Sequence, residues 1–215
     1  MHNRYIKYFL FLLLTTDLFL SVLFLKNGHT DTEKIFSLPV ISKTAGTPKY
    51  IALTFDDGPS RKYTPILLDG LKERGVHATF FLMGKNIEGE EDIVKRMSEE
   101  GHLIGNHSYE HIQLTKAGAK AVCEAVEHTQ EQIEAITGKR PEYIRPPYGD
   151  WNEELEEEIG MTPVLWSLDS LDWKLRNQKR IVKKVLKEAE DGDIILMHDI
   201  FDTSVSAALE LIDIL

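Results

Sequence analysis

Two carboxylates stand side by side in Thr54-Phe55-Asp56-Asp57-Gly58-Pro59, and two imidazoles stand four positions apart in His107-Ser108-Tyr109-Glu110-His111. Adjacent strand residues point to opposite faces, so a turn such as Gly58-Pro59 is needed to bring both carboxylates to one site. One can then bind a metal ion while the other stays free. The spacing of the histidines stacks two rings on one face of a helical turn, which suits chelation of one zinc-like ion at about 2.0–2.1 Å per nitrogen. Each pattern also has a plain alternative, a solvated Asp pair in an Asx-type turn and two unrelated surface or core histidines.

Three further segments carry polar groups out of apolar runs. In Arg145-Pro146-Pro147-Tyr148-Gly149 the prolines restrict their own and the preceding backbone angles, and such a rigid loop can aim a backbone N–H as an oxyanion site requires. A plain loop uses the same residues. Asp169-Ser170-Leu171-Asp172-Trp173 sets an aromatic ring beside carboxylates, a pairing suited to sugar stacking, although Trp173 could equally be core. Leu196-Met197-His198 ends an apolar run in an imidazole, whose ordinary reading alone is a buried histidine satisfied by a backbone group. His77, His102 and His128 have no partner at ligand spacing and read as structural or solvated.

Alternating strands and helices must position these groups. The strands read as 50–55, 78–83, 103–106, 143–145, 163–167 and 194–198, several apolar on both faces as buried parallel strands are. Helices read as 64–74, 92–100, 119–136, 152–159 and 178–190, and five helix-to-strand joints carry a glycine where a left-handed cap is needed: Gly75, Gly101, Gly138, Gly160 and Gly192. Strand count alone leaves an open doubly wound sheet and a barrel in competition. Every chemical segment follows the carboxyl end of a strand, the face where parallel barrels place their sites, and this favours the barrel.

The 215 residues suffice for one domain plus an extension, and a net charge of -10 argues against nucleic acid as a partner. Cys123, the single cysteine, excludes an intramolecular disulfide and a multi-cysteine zinc site, and reads as a small packed side chain in a helix. Arg4 and Lys7 precede an apolar run from Tyr8 to Leu25, long enough to span a bilayer although Asp17 interrupts it at a cost of about 2.5–3.5 kcal/mol if central. The exit of that run lacks the small residues of a cleavage site. Residues 1–26 therefore read as an uncleaved signal-anchor, 27–48 as a linker and 49–215 as the catalytic domain, held by a single pass to the outer face of the cytoplasmic membrane.

Together, in this order, the five segments resemble the motifs of the polysaccharide deacetylase family, the carbohydrate esterases that share the NodB homology domain: T-F-D-D-G-P, H-S-x-x-H, R-x-P-Y-G, D-x-x-D-W and L-x-H. The resemblance runs from about Tyr50 to the end of the chain. It implies an α/β fold, a distorted (β/α) barrel of about seven repeats, expected to be incomplete at the C-terminus because the chain stops at Leu215 within a stretch that reads as helix. It implies that Asp57, His107 and His111 bind a divalent metal, zinc first and cobalt or another divalent ion as alternatives. It also implies that Asp56 is the general base, Arg145 orients it, His198 is the general acid, Asp172 orients that acid, and the Tyr148 backbone N–H is the oxyanion donor. Tyr148, Trp173 and Leu196 are then the substrate-binding residues.

The expected reaction is hydrolysis of an acetamide to acetate and a free-amine sugar. Peptidoglycan N-acetylglucosamine is the expected substrate, with chitin oligomers, muramic acid residues and O-acetyl xylan as alternatives. Two other classes compete: a non-catalytic glycan-binding barrel, which would not need both Asp56 and His198, and an oxidoreductase, since two histidines and a carboxylate also form the facial triad of non-haem iron oxygenases.

Overall fold

The computed structural model describes residues 49–215. The expected signal-anchor at 1–26 and linker at 27–48 lie outside the described residues. Among the described residues no helix is long and apolar enough to cross a membrane.

Seven parallel strands form one sheet: β1 (Ala52–Asp56), β2 (Thr79–Leu82), β3 (Leu103–Asn106), β4 (Tyr143–Ile144), β5 (Thr162–Pro163), β6 (Leu168–Asp169) and β7 (Ile194–His198). Their order is β5-β4-β3-β2-β1-β7-β6, so β7 pairs with β1 and the sheet's two edges are strands consecutive in the chain. Only Val164 to Ser167 link those edges, and so short a link crosses only if the sheet curls until they come close. The result is an incomplete (β/α) barrel with its seam between β5 and β6.

That seam differs from the reading of residues 163–167 as one strand. Thr162–Pro163 pairs with β4 and Leu168–Asp169 with β7, and the residues between serve both neighbours, Val164 donating to the Ile144 carbonyl and Ser167 to that of Ile194. An apolar run long enough for one strand is here split between two sheet edges.

The helices lie outside: α1 (Thr64–Arg74), α2 (Gly84–Ile87), α3 (Glu91–Glu99), α4 (Ala119–Thr137), α5 (Glu153–Ile159), α6 (Asp172–Leu175), α7 (Gln178–Glu188) and α8 (Asp202–Ile214). All five expected joint glycines have positive φ, from 64° at Gly75 to 89° at Gly192. The main core is built from outward-facing strand residues such as Phe55, Phe80, Ile195 and Met197 with Leu67, Leu71, Val185 and Leu211 from the helices. Cys123 does not pack as expected. The buried stripe of α4 is Val122, Val126, Thr129, Gln130 and Ile133, and Cys123, about 100° around the helix from Val122, is exposed with Sγ beside Glu158.

Inside the barrel a small cluster of Phe81, Val164 and Ile194 forms the floor. Gly105 makes room for it, because a Cβ there would stand 2.5 Å from the Phe81 ring. On top of Phe81, at 4.3 Å from the ring centre, lies the guanidinium of the fully buried Arg145.

Candidate active site

Strand period brings Thr54 and Asp56 to the inner face of β1, and Leu196 and His198 to that of β7, beside it in register. Arg145 joins this face to the seam. Its Nη1 donates to Asp56 Oδ1 at 2.8 Å and to Thr54 Oγ1 at 2.6 Å, while Nε and Nη2 donate to the carbonyls of Val164 and Leu165. One oxygen of Asp56 is therefore held. The other, Oδ2, faces His107 Nε2 at 3.8 Å.

Asp57 turns to the same site because its backbone is left-handed, with φ 69°. Its Oδ1 lies 3.4 Å from His107 Nε2 and 3.7 Å from His111 Nε2, and its Oδ2 lies 3.9 Å from His198 Nε2. His107 and His111 do not occupy a helical turn as their spacing suggests. They follow β3 in an irregular loop with left-handed backbone at Ser108 (φ 60°) and His111 (φ 56°), and this loop brings the ring centres to 4.9 Å. The physical reason is the anchoring of the loop by another segment, Gly84 and Lys85 donating to the carbonyls of Ser108 and Tyr109. His107 Nδ1 lies 2.6 Å from the Arg145 carbonyl; donation of a proton there leaves the Nε2 lone pair toward Asp57.

These three residues fit a divalent cation. One ligand atom from each lies within 4.8 Å of the others, and bonds of about 2.0–2.1 Å in a tetrahedral site put ligand atoms about 3.3 Å apart, near the two Asp57–His separations. Asp57 Oδ1 is buried without a hydrogen-bond partner, a costly arrangement unless a cation meets it. Burial opposes ionisation of Asp57, but the adjacent His107, then His198 and His111, outweigh it and hold the carboxyl below its ordinary range. Burial and the neighbouring His107 lower the pKa of His111, favouring the neutral ring a metal requires.

On the opposite side, His198 is held by the buried Asp172, which accepts the ring Nδ1–H at 2.8 Å and the His198 backbone N–H at 2.7 Å. Burial works against the imidazolium, but the hydrogen bond and charge of Asp172, with Asp56 and Asp57, raise the pKa to about 9. Around the opening stand Tyr148, 67% exposed with its ring 4.5 Å from that of His111, and Trp173, 50% exposed. Leu196 is buried below His198 on the same strand face. Tyr148 has a left-handed backbone, φ 62°, within the rigid Pro-Pro loop. All ten residues singled out from the sequence thus lie at or under one carboxyl-end opening.

Two other histidines among the described residues have their partners elsewhere. His102 is buried and accepts the Ala78 N–H, burial lowering its pKa to about 4, and His128 stacks on Tyr109. Three supporting residues escaped sequence reasoning. Thr54 was reachable, since period two places it beside Asp56. Asp199, fully buried beside Gly58 and bonded to Thr64, and Asn86, whose amide donates to the Asp57 carbonyl at 2.7 Å, stand in no motif.

A model of the polysaccharide deacetylase family matches residues 43–164. The chain belongs to that family. It is 44% identical over 180 residues to the peptidoglycan-N-acetylmuramic acid deacetylase PdaC of Bacillus subtilis, covering 84% of this chain and 38% of that protein. It is 47% identical over 170 residues to the peptidoglycan-N-acetylglucosamine deacetylase PgdA of Listeria monocytogenes, covering 79% of this chain and 36% of that one. The chain thus spans little more than a third of the length of either relative. In structure it resembles peptidoglycan deacetylase PdaC from Bacillus subtilis with a TM-score of 0.75 and 46% identity, covering 77% of this chain and 82% of that chain.

Proposed function

We propose that this chain is a metal-dependent deacetylase that hydrolyses N-acetyl groups of peptidoglycan to acetate and a free-amine sugar. The observation that carries this is the sharing of one carboxylate: Asp57 meets His107 and His111 through one oxygen and faces His198 through the other. A cation site, a buried carboxylate and a protonatable imidazole therefore converge on one opening, which binding of glycan alone would not require.

Zinc, or another divalent ion, held by Asp57, His107 and His111 would polarise the acetyl carbonyl and acidify a neighbouring water. Asp56 Oδ2 is the oxygen free to take the water's proton, because Arg145 occupies Oδ1. His198 Nε2, on the far side of Asp57, gives a proton to the departing nitrogen while Asp172 fixes the ring by its other nitrogen. The Tyr148 N–H, set by the rigid loop, is assigned to the developing oxyanion, with the Tyr148 and Trp173 rings walling the sugar groove.

The substrate assignment is supported by the relatives, two of which are named for glucosamine and muramic acid residues of peptidoglycan. Placement at the outer face of the membrane, through a signal-anchor at 1–26, belongs to the same proposal and is supported by Arg4 and Lys7 before the apolar run. Incubating the chain with peptidoglycan, N-acetylglucosamine oligomers and acetyl xylan, and assaying acetate with free amine, tests the function. Acetate from peptidoglycan with matching amine supports it; acetate from acetyl xylan alone, with none from peptidoglycan, would overturn it.

A further inference from the structure

Three left-handed non-glycine residues, Asp57, Ser108 and His111, sit in the two loops that carry the candidate metal ligands Asp57, His107 and His111. Such backbone is unfavourable for a residue with a Cβ and persists only where surrounding contacts enforce it. Both loops are met by one segment, Met83 to Asn86. Met83 N–H donates to the Gly58 carbonyl and Gly84 N–H to that of Ser108, at 3.1 Å each, and Lys85 N–H donates to that of Tyr109 at 3.0 Å. The fourth bond of the series, from Asn86 Nδ2 to the Asp57 carbonyl at 2.7 Å, is the one made by a side chain.

The segment itself is firmly seated. A Cβ on Gly84 would stand 2.4 Å from Thr129 Oγ1 and 2.6 Å from the Tyr109 ring, so α2 lies hard against α4 and the histidine loop. Outside it, Lys85 pairs with Glu110 and the Tyr109 hydroxyl bonds Glu88. A fixed wall thus holds the carboxylate loop by its first and last residues, Met83 and Asn86, and the histidine loop by the two between them.

We propose that Asn86 is a positioning residue for the metal site: by fixing the Asp57 carbonyl it holds the left-handed turn that points Oδ1 at His107 and His111. Without that bond Asp57 is free to relax toward ordinary backbone, and its carboxylate leaves the shared point. The inference rests on the reading of Asp57, His107 and His111 as metal ligands, and it assigns the pre-organisation of the site to an amide that no motif contains.

Zinc affinity, measured by competition with a chromophoric chelator, needs no substrate and so separates this inference from the proposed activity. Asn86→Ala removes the donor, and Asn86→Asp keeps the shape while placing a carboxylate oxygen against the carbonyl. We expect the zinc Kd to rise about 10–100-fold in both, the range of outer partners at metal sites, while the metal-free chains melt close to wild type. Wild-type zinc affinity in Asn86→Asp, or a loss of affinity only in step with loss of metal-free folding, would overturn the role. A wild-type chain that binds no zinc at all would instead remove the metal site on which it depends.

Discussion

Asp172 holds His198 by two atoms at once, accepting from the ring Nδ1 at 2.8 Å and from the backbone N–H at 2.7 Å. The imidazole is thereby fixed in place and biased toward its charged form, with Nε2 turned to the Asp57 carboxylate.

This predicts a pH profile. Burial disfavours the charged ring, Asp172 more than offsets it, and without metal the pKa lies near 9, so the proposed acid is protonated at neutral pH and the proposed mechanism loses rate on the alkaline side. Asp172→Asn removes the largest favourable contribution, so the alkaline limb should move to lower pH, with kcat at pH 8 reduced. A bound cation disfavours the imidazolium, so histidine NMR titrations should place His198 near 9 without metal and lower with zinc.

Removing Arg145 should damage stability as well as rate. Its guanidinium is fully buried and bridges Asp56, Thr54 and the seam carbonyls. Arg145→Met leaves an unpaired buried carboxylate, and denaturant unfolding should show a loss of about 3–5 kcal/mol. Adding Asp56→Asn should recover part of that loss, although not the activity.

Asp199 should make the metal-free chain less stable as pH rises. Burial, against the Thr64 hydrogen bond, raises its pKa to about 7 from an ordinary 3.8, so between these values the folded chain holds a proton the unfolded one releases. That contribution is fully present below the unfolded pKa and is lost as pH climbs to 7. Asp199→Asn should flatten this part of the stability curve, read by urea melts at pH 4, 5, 6 and 7.

Zinc should raise the melting temperature by mass action. At a free concentration about 100 times Kd, binding to the folded state adds about 2.7 kcal/mol. His111→Ala should abolish most of that shift, while Trp173→Ala, at the exposed rim, should retain it and raise KM for glycan.

The barrel and its active face were legible because they rest on local rules. Glycines at helix ends and two-residue strand period placed Asp56, Arg145 and His198 at strand ends without any tertiary information. The histidine loop was not legible. Its spacing says helix, but hydrogen bonds from Gly84 and Lys85, distant in the chain, hold Ser108 left-handed. Asn86 was hidden for the same reason, since nothing in its neighbours marks a bond to Asp57. The split of residues 163–167 between two sheet edges likewise depends on curvature of the whole sheet.

The central claim is hydrolysis driven by Asp56 beside a cation held by Asp57, His107 and His111. The most direct measurement is acetate and free-amine release from peptidoglycan by the zinc-loaded chain, with Asp56→Asn alongside and zinc content determined for both. We predict equimolar acetate and amine from the wild type, and a kcat about 10²–10⁴-fold lower in Asp56→Asn with zinc still bound. A folded, zinc-loaded wild type that releases no acetate, or an Asp56→Asn variant as fast as wild type, would contradict it.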